Sequence, residues 1–239
     1  MAAVPYRELD AVLLDLGNTL VAMDRRLLCQ ILADDRIIAA PAVVDRAEAA
    51  ARPALSRWMA STPRSEWGRT FIVYVQAMLA RLGIADPDGE RAGRLVAKVR
   101  ATIPTQRLWS QVLPGVPAAL ARLREAGLKL VVVSNSDGTA EAAVIAAGLR
   151  GAVDAVVDSA LVGVEKPDPR IFAHALAISD CAPDRTLHVG DLHAVDVVGA
   201  RAAGLHAVLL DPHGDWLDAD CERLPDLGAL ADRITGAGR

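Results

Sequence analysis

Four stretches of the chain carry side chains that could do chemistry together. They are Asp15-Leu16-Gly17-Asn18-Thr19, Ser134-Asn135, Lys166-Pro167, and Gly190-Asp191 with Asp196. Between them they supply a nucleophilic carboxylate, a hydroxyl, a cation and two further carboxylates. This set suits phosphoryl transfer, because a carboxylate can attack phosphorus while a metal ion and a lysine neutralise charge on the equatorial oxygens.

A metal ion would relieve the repulsion between an anionic nucleophile and an anionic substrate. A hard cation such as Mg²⁺ takes oxygen ligands in an octahedron and keeps several waters, so Asp15, Asp191 and one backbone carbonyl would be enough. Asp196 is a further candidate, through a metal-bound water. Two carboxylates in a Gly-Asp-x-x-x-x-Asp frame favour metal binding over a helix N-cap followed by a solvated charge.

The elements that must position these residues are short buried strands alternating with helices. Apolar runs predict strands at 11–14, 128–133, 155–157, 186–189 and 207–210. Helical spacing predicts helices at 116–126, 139–147, 169–178 and 195–203. Such alternation indicates a doubly wound parallel sheet of the Rossmann-like α/β class, in which ligands bind beyond the carboxyl ends of the strands.

The segment between the first two predicted strands has a different pattern. From 21 to 112 the chain is rich in Ala and Arg, with helical spacing at 45–55, 71–82 and 90–101. We therefore predict two domains, an α/β core of residues 1–20 and 113–239 and an all-helical cap of residues 21–112. Beyond 210 we expect only a tail that contains Pro and Asp.

Composition narrows the possible partners and the compartment. The 239 residues have a formal net charge of −4 and no basic stripe, which argues against nucleic acid. Cys29, Cys181 and Cys221 form no C-x-x-C pair, so a reducing cytoplasm is expected. The N-terminal residues lack a secretory pattern and no run of about 18 apolar residues occurs, so a membrane location is also disfavoured.

The four motifs, in this order, resemble those of the haloacid dehalogenase superfamily. The core resemblance covers about residues 9–20 and 113–212, and the helical insert falls after motif I, where the C1 cap of that family occurs. The resemblance implies a Mg²⁺-dependent phosphatase that hydrolyses a small phosphorylated metabolite through an aspartyl-phosphate intermediate.

The resemblance also assigns roles to individual residues. The predicted catalytic residues are Asp15 as the nucleophile, Ser134 as the phosphate-binding hydroxyl and Lys166 as the neutralising cation. Ser134, Asn135 and Lys166 are the predicted substrate-binding residues. The predicted metal site comprises Asp15, the Gly17 carbonyl, Asp191 and Asp196.

One position departs from the family pattern and leaves alternatives open. Most phosphatases of the family carry an acid–base aspartate two residues after the nucleophile, where this chain has Gly17. A cap residue, His193 or a metal-bound water could replace it. The glycine also leaves open a carbon–phosphorus or carbon–halogen hydrolase, or a catalytically weak member that binds a phosphorylated ligand or a protein. True dehalogenases usually have Tyr at this position and lack the Gly190-Asp191 pair.

Four aromatic residues in or near the insert have two possible roles. They could line a substrate pocket or pack a small core, and their helical spacing favours the core. They are Trp58, Trp67, Tyr74 and Trp109.

Overall fold

The computed structural model describes residues 3–236, apart from the side chain of Trp67. Its strands are β1 (Ala11–Leu14), β2 (Val21–Met23), β3 (Trp109–Val112), β4 (Lys129–Ser134), β5 (Ala155–Asp158), β6 (Thr186–Gly190), β7 (His206–Leu210) and β8 (Glu222–Leu224). Six of them form a parallel sheet in the order β5-β4-β1-β6-β7-β8. The other two, β2 and β3, form an antiparallel ribbon.

The helices of the described residues fall into two groups along the chain. Those before the second strand of the sheet are α1 (Arg25–Asp34), α2 (Pro41–Ser61), α3 (Thr70–Arg81), α4 (Glu90–Thr102), α5 (Thr105–Leu108) and α6 (Val116–Glu125). The remainder are α7 (Ala140–Ala146), α8 (Ser159–Val162), α9 (Pro169–Ser179), α10 (Val198–Ala202) and α11 (Leu227–Thr235). A π-helical turn, His193–Val197, leads directly into α10.

The sheet is wound in both directions from its central strand. β1 is buried along its whole length and lies between β4 and β6, with Leu14 in register with Val132 and Val189. The chain proceeds from β1 through β4 to β5 on one side, and through β6 and β7 to β8 on the other. This arrangement confirms the predicted doubly wound parallel sheet, and the carboxyl ends beside β1 form its topological switch point.

The inserted segment, residues 21–112, packs around an apolar cluster of its own. The predicted helices at 45–55, 71–82 and 90–101 overlap α2, α3 and α4. The prediction that the segment is entirely helical is wrong, because β2 and β3 pair at its two ends. β2 has only three residues, and β3 contains Ser and Gln and is no apolar run. Their pairing joins positions far apart in the sequence.

The residues beyond 210 are also more ordered than predicted. β8 extends the sheet, and α11 begins at Asp226, whose side chain accepts a hydrogen bond from Ala229 N. Leu227, Leu230 and Ile234 of α11 are buried against the sheet. Their spacing, together with the capping Asp226, is a helix signal that the sequence contained.

Membrane insertion through a helix finds no support in residues 3–236. None of the helices there combines the length and the apolar character needed to cross a bilayer.

Candidate active site

Asp15 leaves the carboxyl end of β1 and starts a tight turn. Its backbone N–H donates to Val189 O at 2.9 Å, which continues the pairing of β1 with β6 by one residue. The turn closes where Asn18 N donates to Val21 O at 2.6 Å, and Asn18 has a φ of 55°. Asp15 is therefore buried at the switch point, with its side chain 11% exposed.

Lys166 lies next to Asp15 and binds two carboxylates. Its Nζ donates to Asp15 Oδ1 at 2.5 Å and to Asp196 Oδ1 at 2.7 Å, and the residue is 1% exposed. Burial opposes the charge on Lys166, but the two aspartates raise its pKa above the ordinary value. An ammonium beside Asp15 is thus held charged.

Asp196 contacts Lys166 with one oxygen and the backbone with the other. Its Oδ1 lies 3.0 Å from His188 Nε2, and its Oδ2 accepts from Leu192 N at 2.9 Å. Burial favours the neutral form, but Lys166 and His188 hold the pKa of Asp196 below its ordinary value. Both Asp196 oxygens therefore have protein partners. This arrangement suits a role in positioning Lys166 better than the predicted role as a metal ligand.

Gly190 is required by the position of the Asp196 side chain. A Cβ at Gly190 would lie 2.2 Å from Asp196 Cγ, so no other residue fits without rearrangement. The π-helical turn carries Asp196 back over the end of β6. The sequence predicted a single helix at 195–203. In the structure the first part of that range belongs to the π-helical turn, and the α-helix begins only at Val198.

Ser134 and Asn135 lie at the carboxyl end of β4 but have different surroundings. Ser134 is the last residue of β4 and is buried at 6% exposure. The Asn135 amide instead donates to Lys166 O at 2.9 Å and accepts from Lys166 N at 2.7 Å. The predicted substrate-binding role suits Ser134, whereas Asn135 clamps the backbone of the lysine loop.

Asp191 contacts the motif I turn and the inserted segment. Its Oδ2 accepts from Asn18 Nδ2 at 3.1 Å and lies 3.5 Å from Arg52 Nε. Burial raises the pKa of Asp191 to about 8. Arg52 acts in the opposite direction, and the carboxylates of Asp15, Asp196 and Glu48 add to the rise. Burial likewise raises the pKa of Asp15 despite its contact with Lys166.

Three buried residues of the inserted segment complete the site. Sequence reasoning missed Glu48 and Arg52, and it considered Tyr74 for the pocket but favoured a core position. Glu48 of α2 accepts at Oε1 from Asn18 Nδ2 at 3.2 Å, from Arg52 Nε at 2.8 Å and from the Tyr74 hydroxyl. Its Oε2 accepts from Arg52 Nη2 at 2.6 Å. A Glu and an Arg four residues apart normally indicate a solvated helix face, so nothing local signals their burial.

The oxygen atoms that remain open fit a divalent cation. Asp15 Oδ2 and Asp191 Oδ1 accept no hydrogen bond from the described part of the chain. Within residues 3–236, the cations that face the four carboxylates of Asp15, Glu48, Asp191 and Asp196 are Lys166 and Arg52. No group of three or more His, Cys, Asp or Glu side chains within residues 3–236 could enclose a metal. Mg²⁺, however, needs only two carboxylates, a carbonyl such as that of Gly17, and waters.

The space beside Gly17 is filled by an aromatic ring. A Cβ at this position would lie 3.3 Å from Trp109 Cζ3. Tyr74 belongs to the core cluster of the inserted segment and also reaches the site through its hydroxyl, while Trp58 packs at the edge of that cluster. Trp67 lies outside the described side chains. Tyr74 and Trp109 therefore pack in the core and also line the site.

His193 lies away from the reactive groups. Its Nε2 lies 2.7 Å from Asp220 Oδ1, and Arg201 Nη1 binds the same carboxylate. The structure therefore does not support His193 as a replacement for the acid–base residue that is missing at position 17.

Comparisons with known proteins agree with this architecture. Haloacid dehalogenase-like hydrolase domain-containing protein 3 of Bos taurus is 45% identical over 123 residues, 52% of this chain and 49% of that protein. A phosphoserine phosphatase of Thermus thermophilus is 39% identical over 120 residues, 48% of this chain and 45% of that protein. The chain thus matches about half the length of these curated relatives.

The fold and the family are both established by these likenesses. The crystal structure of a HAD phosphatase from Thermococcus onnurineus aligns with a TM-score of 0.59 and 22% identity over 95% of this chain and 98% of that one. The family model for haloacid dehalogenase-like hydrolases matches residues 9–204. This match spans β1, the inserted segment and the sheet as far as α10, and with it the chain belongs to the haloacid dehalogenase-like hydrolase family.

Proposed function

We propose that the chain is a Mg²⁺-dependent phosphatase that hydrolyses a small phosphorylated metabolite through an aspartyl-phosphate on Asp15. The proposal rests on one observation: Asp15 keeps Oδ2 open while Lys166 holds its Oδ1. Lys166 orients such a carboxylate through one oxygen and leaves the other oxygen available to attack phosphorus, as a nucleophile requires. The phosphatase names among relatives agree with this activity but differ in substrate, since they include phosphoserine and glyceraldehyde 3-phosphate.

The reaction would proceed in two displacements at phosphorus. Asp15 Oδ2 forms a bond to phosphorus as the bond to the leaving oxygen breaks. Lys166 neutralises charge on the phosphoryl oxygens, and the hydroxyl of Ser134 donates to one of them. Water then attacks the aspartyl-phosphate, which releases phosphate and restores the carboxylate.

Asp15 and Asp191, with the Gly17 carbonyl, would hold Mg²⁺. The open oxygens on the two aspartates and the excess of carboxylates over cations fit such an ion. When bound, the ion would polarise the phosphoryl group and reduce its repulsion of the nucleophile. In this proposal Asp196 holds Lys166 in place.

We assign residues 21–112 to a cap that covers this site on a core formed by residues 1–20 and 113–239. Ser56 of α2 accepts a hydrogen bond from Ala194 N at 2.9 Å, so the segment docks on the loop that carries Asp196. A cap of this kind would exclude bulk water during the chemistry. A cytoplasmic location agrees with Cys29, Cys181 and Cys221, which are all unpaired.

The test is hydrolysis of p-nitrophenyl phosphate with Mg²⁺ and with EDTA. We expect turnover that needs Mg²⁺ and is lost in Asp15→Asn. Asp184→Asn, which changes an exposed aspartate, is the matched control and should leave the rate unchanged. Turnover that persists in EDTA or in Asp15→Asn would contradict the proposal, and release of halide from a haloacid in EDTA would favour a dehalogenase.

A further inference from the structure

Gly17 leaves no side chain on the approach to the nucleophile. The residue lies two positions after Asp15 in the same turn, so any side chain there would begin beside the reacting carboxylate. The Trp109 ring occupies this place, with Cζ3 3.3 Å and Cε3 3.5 Å from where a Cβ would be. An apolar ring edge therefore stands where a proton donor to the leaving group could have been.

The polar side chains nearest the turn already form hydrogen bonds with other protein groups. Glu48 accepts hydrogen bonds at both oxygens, and Tyr74 donates its hydroxyl proton to Glu48. Lys166 donates to Asp15 and Asp196. Besides Asn18 and Asp191 themselves, the described side chains that bond to Asp15, Asn18 or Asp191 all have protein partners already; they are Lys166, Glu48, Tyr74 and Arg52.

The position of the leaving group follows from in-line displacement. Because the attacking and leaving oxygens lie on opposite sides of phosphorus, a leaving group expelled by Asp15 faces away from β1. Glu48, Arg52 and Tyr74 reach the turn from the inserted segment, and they form a closed hydrogen-bond network. A leaving oxygen would therefore depart without a proton from this network.

We propose that the site is selective for phosphate compounds whose leaving group departs as a stable anion, above all acyl phosphates, over phosphate esters of alcohols. This inference rests on the proposed phosphatase function. Asp15 Oδ2 bonds to phosphorus, the bond from phosphorus to the acyl oxygen breaks, and that oxygen keeps the electron pair and leaves as a carboxylate. No proton is needed in this step.

The second step has the same chemical character. The aspartyl-phosphate on Asp15 is itself an acyl phosphate, so its leaving group is again a carboxylate. Water adds its oxygen to phosphorus, the bond from phosphorus to Asp15 breaks, and the protons of water go to the released phosphate and to solvent. A site without a general acid can therefore complete both halves of the reaction with an acyl phosphate.

The first experiment measures kcat/KM for acetyl phosphate, p-nitrophenyl phosphate, phenyl phosphate and glycerol 3-phosphate with Mg²⁺, with Asp15→Asn as the background. General acid catalysis is worth about 10²–10⁴-fold, so we expect acetyl phosphate to exceed glycerol 3-phosphate by at least about 10²-fold. Rates within about tenfold of each other would overturn this inference and leave the phosphatase function intact. Absence of Asp15-dependent turnover for all four compounds would overturn both.

The second experiment supplies the missing acid. Because a Cβ at 17 would be in tight contact with the Trp109 ring, we compare Gly17→Asp/Trp109→Ala with Gly17→Ala/Trp109→Ala, which has the same cavity without the acid. We expect the aspartate variant to raise kcat/KM for glycerol 3-phosphate by at least about tenfold over its control. Equal rates in the two variants would overturn the inference.

Discussion

Two buried cations lie in the site, and their surroundings differ in origin. The lysine cluster consists of Lys166, Asp15, Asp196 and His188, which all come from the sheet and its loops. The arginine cluster consists of Arg52, Glu48, Tyr74, Asn18 and Asp191, which come partly from α2 and α3 and partly from the sheet loops. The first can form within the core alone, whereas the second forms only when residues 21–112 are docked.

Because of this difference, Lys166 and Asp191 are held in position by different parts of the molecule. Lys166 is held beside Asp15 by residues of the sheet and its loops. Asp191 Oδ2 is held by Asn18 and Arg52, so its orientation depends on the inserted segment. The position of the segment and the geometry of the proposed metal ligand are therefore linked, because outer-shell partners orient the ligands of a metal.

Removal of Lys166 should have the largest effect. We expect Lys166→Met to lower kcat/KM by about 10²–10³-fold, since a charge-stabilising donor is lost. It should also cost about 3–5 kcal/mol of unfolding free energy, because Asp15 and Asp196 stay buried without their cation. Lys129→Met, which changes an exposed lysine on β4, is the control in enzyme assays and urea denaturation. Similar results for the two variants would show that the lysine cluster is not the catalytic centre.

Removal of Arg52 should lower turnover less than removal of Lys166. We expect Arg52→Met to weaken Mg²⁺ binding by about 10–100-fold, measured by calorimetry, because Asp191 loses an orienting partner. The double variant Arg52→Met/Glu48→Gln should be more stable than the sum of the two single changes predicts, since it leaves no unpaired Glu48 charge.

The control for Arg52 is another arginine of the same helix. Arg46 forms an ion pair with Asp215 across the same two regions, with N–O distances of 2.6 and 2.8 Å, but its side chain is 48% exposed. Arg46→Met should change stability by at most about 1 kcal/mol and leave Mg²⁺ affinity unchanged. If Arg46→Met and Arg52→Met weaken Mg²⁺ binding equally, the arginine cluster has no special link to the metal ligand.

The pH dependence of stability should show a smaller effect of the same cluster. Because the pKa of Asp191 is about 8 in the folded protein and about 4 when unfolded, the folded state binds an extra proton between these values. Its contribution is fully present below pH 4 and is lost as pH rises towards 8. In EDTA we expect unfolding free energy to fall between pH 5 and 7 by at most about 1.4 kcal/mol per unit. Asp191→Asn should flatten the profile in urea denaturation, and an unchanged slope would contradict the assignment.

Sequence reasoning predicted the sheet well and its edges poorly. β1 and its neighbour β4 have continuous apolar runs. A helix start signal also stands in the sequence at Asp168, which caps Pro169–Ser179. The ribbon of β2 and β3 and the final β8 are too short for any pattern to show. Their pairing is decided by contacts that are distant in the chain.

The sequence by itself determined the family and the doubly wound core. It also predicted that Asp15, Ser134, Lys166 and Asp191 lie together, because they stand in loops beyond strands whose ends converge in any parallel sheet. Tertiary structure alone decided that Asp196 and Asn135 hold Lys166, that Trp109 fills the space beside Gly17, and that Arg52 and Glu48 are buried against the sheet loops. The physical reason is that the position of one packed segment on another depends on side-chain contacts summed over a whole interface. No local pattern of residue types encodes that sum.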